Sequence, residues 1–174
     1  RQGYGMDCYA VGPTLGAGVA ALMAGDTIIY PYCYRTQEIL DNGPLRFTVK
    51  LEFNPLTVRG DSNVVEMRVI TLDAGSYLNK TVVLYTNLKE AMPVTTGIVL
   101  REPDGVVTAD AANGYITYVD PTTDRSGGNG KIFIGAAFPS LVKEAKTVLF
   151  PEKEKKELRG GADGHVLAIS EYEP

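Results

Sequence analysis

Between Leu45 and Phe53, apolar and polar residues alternate without a break. Leu45, Phe47, Val49, Leu51 and Phe53 fall on one side, and Arg46, Thr48, Lys50 and Glu52 on the other. A two-residue repeat is that of a strand with one face toward a core and one toward water. The Asp41-Asn42-Gly43-Pro44 run before it is turn chemistry. Residues 27–34 and 35–40 read as the extended segments leading into that turn. The next strand is expected over 63–72. There Val65, Met67 and Val69 share a face while Ile70 and Leu72 lie on the other, so the strand either carries a bulge or is covered on both sides. A turn at 73–76 and a return over 77–88 supply its antiparallel partner. Further strands are expected at 96–101, 114–120, 131–138, 146–150 and 165–172, divided by loops rich in Gly, Asp, Asn and Pro. Helix is expected in two places only. One is 13–25, where Ala and Leu favour it and glycines oppose it; the other is 139–146. Many strands at short spacing, with no internal repeat and no long linker, predict an all-β chain. The expected architecture is one antiparallel β-sandwich domain over 1–174 with little helix.

Composition narrows the partners. A chain of 174 residues can bury a real core. Its net charge of −4 leaves no basic stripe for counterion release, so nucleic acid is not an expected partner. No apolar run approaches the roughly 18–20 residues of a membrane span, so no membrane contact is expected. The densest charge run, residues 151–159, mixes both signs and reads as a solvated turn or short exposed helix. Cys8 and Cys33 fit no zinc spacing, leaving a disulfide or two buried free thiols open. With a single histidine, a histidine-rich metal site is excluded. Neither metal nor cofactor is expected. Asp104, Asp110, Asp120 and Asp124 sit in loops but lack the spacing of an EF-hand. Both ends read as cut from a longer protein, which makes missing flanking segments of the same protein expected partners.

Residues 16–21, GAGVAA, match the glycine fingerprint that seats a dinucleotide pyrophosphate on a helix N-terminus. That motif needs a buried strand before it and a βαβ unit after it. Pro13 stands just ahead of the first glycine, and extended segments follow Gly25. The nucleotide reading therefore gives way to a small-residue loop or short helix packed close against a sheet.

Two segments, 39–53 (ILDNGPLRFTVKLEF) and 69–88 (VITLDAGSYLNKTVVLYTNL), resemble the β-supersandwich of galactose-mutarotase-like, carbohydrate-active proteins. More closely, GMDCYAVGPTLGAG, YPYCY, LDNGPLRF and LDAGSYLN, in that order, resemble a bacterial family called domain of unknown function 4861. The resemblance implies a partial supersandwich and a periplasmic or extracellular protein of polysaccharide breakdown. It supplies no catalytic residues to carry over. The absence of tryptophan departs from many glycan-binding surfaces, although tyrosine also stacks on sugars.

Candidate chemistry falls on a few residues. His165 is the lone histidine and reads either as a general acid or base near neutral pH or as a loop-edge residue bonded to backbone. Arg101 and Glu102 crowd a strand end beside a Pro-Asp-Gly turn. Arg101 has the planar fork to clamp a uronate carboxylate, and Glu102 the carboxylate of a base. The alternative for both is turn chemistry with an exposed ion pair. Tyr30, Tyr32 and Tyr34 share one side of an extended run, as a sugar-stacking stripe or a cross-strand ladder. Asp7 and Glu171 are further carboxylates for sugar hydroxyls. These residue types fit a lyase or hydrolase on acidic polysaccharide. They fit equally a non-catalytic glycan-binding or accessory domain, and the sequence leaves open whether the chain is an enzyme. On either reading a poly- or oligosaccharide is the expected ligand.

Overall fold

The computed structural model describes residues 9–101, 104–122, 128 and 130–174. The chain is all-β and antiparallel, in two compact units. The first unit takes the N-terminal part through Ala21 and then Pro93–Glu171; the second takes Leu22–Met92 and Tyr172–Pro174.

In the first unit, one sheet runs in the order β12 (Glu144–Leu149), β13 (Gly164–Tyr172), β8 (Met92–Leu100) and β1 (Ala17–Ala24). A second sheet has β10 (Tyr115–Asp120) between β9 (Val106–Asp110) and β11 (Ile132–Ala137). Ile98 and Leu100 of β8 and Val166 and Ala168 of β13 meet Ile116 and Tyr118 of β10 in one buried cluster with Val142. Two sheets closing on a shared apolar layer make a sandwich. Gly164 lets the β12 backbone come close, since a Cβ there would lie 2.2 Å from the Val148 carbonyl oxygen.

The helix expected over 13–25 is a strand instead. Gly16 and Gly18 have φ of +61° and +98°, which no right-handed helix accepts. The Gly16 carbonyl accepts the Val99 amide at 2.8 Å. Sheet pairing and burial of Leu15, Ala21 and Leu22 outweigh the helix propensity of Ala and Leu. The same finding removes the helix N-terminus that a pyrophosphate would need at GAGVAA. Residues 139–146 are not helical either. The Lys143 amide is taken by Ile169 at 2.8 Å and β12 begins at Glu144. Among the described residues the α-helix is α1 (Glu152–Glu157), which lies in the mixed-charge run, with Glu152 and Glu154 in its first turn and Lys155 and Lys156 in its last. That order complements the helix dipole.

The second unit holds β2 (Thr27–Ile29), β3 (Tyr34–Asn42), β4 (Arg46–Phe53), β5 (Leu56–Val58), β6 (Asp61–Asp73) and β7 (Lys80–Thr86). Its main sheet runs β3-β4-β6-β5, with β7 also paired to β6. The ladders of β6 with β4 and with β7 are regular, so the parity change read at 63–72 reflects a strand apolar on both faces and not a bulge. Register breaks fall on β3, one of them between Ile39 and Asp41. Leu22, Phe53, Leu56, Val58, Val64 and Met92 are buried in this unit, and so are the charged Glu66 and Arg68. Arg68 donates to the Glu66 carboxylate, and its guanidinium lies 4.5 Å over the Phe53 ring. Glu66 is the direct cross-strand partner of Tyr85. The Tyr85 amide donates to the Tyr172 hydroxyl at 3.0 Å. Burial pushes the Glu66 carboxyl above its ordinary pKa despite the guanidinium beside it.

Candidate functional site: a cleft in the first unit

The end of the first unit's sandwich opens into a cleft of about 370 Å³. Its apolar floor is Tyr118 from β10 and Leu100 from the end of β8, both buried, with half-buried Val107 from β9 and Phe150 just after β12, while Leu149 at the end of β12 stands exposed at the edge. Its rim is charged, with Glu152 and Lys155 of α1 and Asp163 from the loop before β13. Glu152 and Lys155 are three apart on a helix and so share a face. Lys155 donates to the Asp163 carboxylate, which holds the ammonium above its ordinary pKa.

Each floor residue has a reason to stay in place. Strand alternation along β10 sends Ile116 and Tyr118 inward together. The Tyr118 hydroxyl accepts the Arg101 amide at 3.2 Å. Gly105 leaves room for the ring, because a Cβ there would fall 2.3 Å from it. Phe150 is held from two directions: the His165 ring meets it edge-on at 4.9 Å, and the Arg159 guanidinium lies 5.2 Å from its centroid. Its amide donates to the Asp163 carbonyl at 2.9 Å, while the Asp163 amide donates to Leu100 at 2.8 Å. The backbone that carries the rim carboxylate is thus tied to the floor.

His165 itself is 1% exposed. Its Nε2 accepts the Leu15 amide at 3.1 Å, so that nitrogen carries a lone pair and no proton. Burial, with the Arg159 charge adding to it, pushes the imidazole down to about 4. Arg101 turns its guanidinium toward backbone: Nε donates to Ala10 and Nη1 to Gly160 at 2.7 Å. Arg159 Nη1 donates to Pro13 at 3.0 Å. Three side chains therefore strap the segment 10–15 to the rest of the first unit, and two of them, Arg101 and His165, are among the residues the sequence offered for catalysis.

None of the other described candidates lines this cleft. Glu171 pairs with Lys143 near the far end of β13. Tyr30, Tyr32 and Tyr34 belong to the second unit. Tyr32 and Tyr34 are exposed and Tyr30 is half-buried. Tyr34 makes an edge contact with Phe53, its cross-strand partner, at 6.5 Å. Asp7, Glu102 and Cys8 lie outside the described residues, and with Cys8 the question of a disulfide to the exposed Cys33. Of the loop aspartates, Asp110 binds the Asn113 amide and side chain at 2.9 and 2.8 Å. Asp120 binds the Thr122 amide at 2.6 Å, and Asp124 is outside the described residues. No group of three or more His, Cys, Asp and Glu converges among the described residues. No helix among them is long and apolar enough to cross a membrane.

Sequence reasoning missed Tyr118, Phe150, Glu152, Lys155 and Asp163. The available signal was the Asp163-Gly164-His165 turn, where a glycine between two polar residues opens a strand. No curated protein and no solved structure matches the chain. The order of motifs from GMDCY to LDAGSYLN agrees with a full-length family match over residues 1–174, and the chain belongs to the family described as Domain of unknown function (DUF4861).

Proposed function

We propose that the chain is a carbohydrate-active protein of the polysaccharide-degradation type, acting as a glycan-binding or accessory β-domain that holds a saccharide in the first unit's cleft. The observation that carries this reading is an apolar floor with two aromatic rings inside a rim of three charged side chains. A pyranose offers an apolar C–H face to such a floor and a belt of hydroxyls to such a rim. The volume lies at the small end of ligand pockets, roughly 300–1,000 Å³, and suits one or two sugar units. On the rim, two carboxylates stand against one ammonium already engaged with Asp163. A uronate would meet net negative charge there, so neutral sugars are favoured over acidic ones. A lyase draws less support, since proton abstraction needs a base with a lone pair to spare and that of His165 Nε2 is engaged by Leu15. The family resemblance carries with it a periplasmic or extracellular location.

Affinity electrophoresis against neutral and uronate polysaccharides tests the reading. Retardation by a neutral polymer, lost in Phe150→Ala and kept in Tyr32→Ala, is the expected result. Loss of about 1–3 kcal/mol per stacking ring corresponds to roughly 5- to 150-fold in affinity. Unsaturated-uronate absorbance on incubation with acidic polymers would replace the binding reading with a lyase.

A further inference from the structure

We infer, on the reading of the first unit's cleft as a saccharide site, that Lys155 and Asp163 act there as one paired reader that selects sugars with two adjacent free hydroxyl groups. Both residues line the cleft, and Lys155 donates to Oδ1 of Asp163. Among the described residues no other donor meets the Asp163 carboxylate and no other acceptor meets the Lys155 ammonium. Nζ therefore keeps further N–H donors, and Oδ2 keeps its lone pairs. The two charges cancel within the pair, so neither a cation nor an anion satisfies both members. What does is a neutral group that donates at one point and accepts at the next. A vicinal diol has that form: one hydroxyl donates to Asp163 Oδ2, and its neighbour accepts from Lys155 Nζ. Hydrogen bonds to ionised groups are about twice as strong as neutral ones, so the pair weighs heavily in the choice of ligand.

The backbone under the pair is fixed before a ligand arrives. The Asp163 amide donates to Leu100 at 2.8 Å, and the Asp163 carbonyl accepts the Phe150 amide at 2.9 Å, so the reader and the aromatic floor share one set of backbone bonds. The Gly161 amide closes the intervening loop onto the Lys155 carbonyl at 2.9 Å. Arg159 grips Glu154 at 2.8 Å and holds the end of α1. The side chains of Lys155 and Asp163 are 29% and 21% exposed. They are thus sheltered enough to resist screening by salt and open enough to meet a ligand. Groups already held in place give up little freedom on binding. Glu152 on the same rim adds a second carboxylate, which turns anions away.

Affinity electrophoresis through soluble glucan, xylan, mannan and galactan, each unmodified and O-methylated, tests this. The native chain is expected to be retarded by at least one unmodified polymer and not by its O-methylated form, which keeps the apolar sugar face and loses the hydroxyl donors. That comparison needs no variant and holds even where a substitution disturbs folding. Asp163→Asn and Lys155→Met should each weaken binding about 10- to 100-fold. Combining them should add at most about threefold, because the two act as a unit. Lys143→Met, which breaks an ion pair outside the cleft lining, should bind as the native chain does. If Phe150→Ala abolishes retardation while the O-methylated polymer retards equally, or while either pair variant binds as the native chain does, the cleft stands as the saccharide site and the paired reader is overturned. Retardation kept in Phe150→Ala, or absent with every polymer, removes the saccharide site and the reader with it.

Discussion

His165 carries its ring against Phe150 and gives its Nε2 lone pair to the Leu15 amide. These contacts set a pH dependence. In the unfolded chain the imidazole takes up a proton below about 6.5, whereas in the folded chain it resists until about 4. The stabilisation is therefore complete above the unfolded value and is lost as pH falls through that window. About two and a half units of pKa are on the order of 3 kcal/mol. Urea unfolding between pH 7 and pH 4.5 should show most of that loss in the native chain. In His165→Gln the same interval should be much flatter, with lower stability at pH 7. Equal slopes in the two proteins would detach His165 from the acid limb. The sequence left this residue between a general acid or base and a loop-edge histidine bonded to backbone; its partner is indeed a backbone amide, that of Leu15 at the other end of the chain, and it sits within β13 and not at a loop edge. Nothing local in the expected strands 114–120 and 146–150 singles out Tyr118 or Phe150, because a cleft is made by residues far apart in sequence.

At the level of elements, period-two alternation was legible wherever one face of a strand meets water. β4 falls within its expected residues 45–53, and β10 is half-buried and fully buried in turn. The pattern failed for β1, a strand enclosed by its neighbours, where small apolar residues mimic helix composition. It also failed for β5, three residues long, and for β9, between two turn-rich loops. Position 164 is a place of close backbone approach between elements. Gly164→Ala would press a methyl group into the Val148 carbonyl, and backbone cannot rotate aside as a side chain does. The expected cost is about 2–3 kcal/mol, read as a lower urea midpoint with an unchanged slope. Because Asp163 precedes it, the same substitution should weaken saccharide binding. Full stability in that variant would contradict the close approach of β12 to β13.

For the molecule as a whole, the two units divide the work. The first holds the sandwich with its cleft and the straps on residues 10–15. The second holds a sheet whose buried end is organised around Glu66, Arg68 and Tyr85 and whose other end shows apolar side chains. All-β architecture and family were legible in the sequence because both rest on local patterns. The two-unit organisation and the cleft were not, because they depend on how strands distant in sequence are ordered. The proposed binding site leaves out the Tyr30–Tyr34 run, which the sequence offered either as a sugar-stacking stripe or as a cross-strand ladder. The most direct test is to titrate isotope-labelled chain with a neutral oligosaccharide selected by electrophoresis and follow the backbone amides by NMR. The account predicts that Gly105, Phe150, Lys155 and Asp163 shift together with one dissociation constant while Tyr32 and Tyr34 stay fixed. Shifts confined to Tyr30–Tyr34 would contradict it, as would no shift with any saccharide at millimolar concentration.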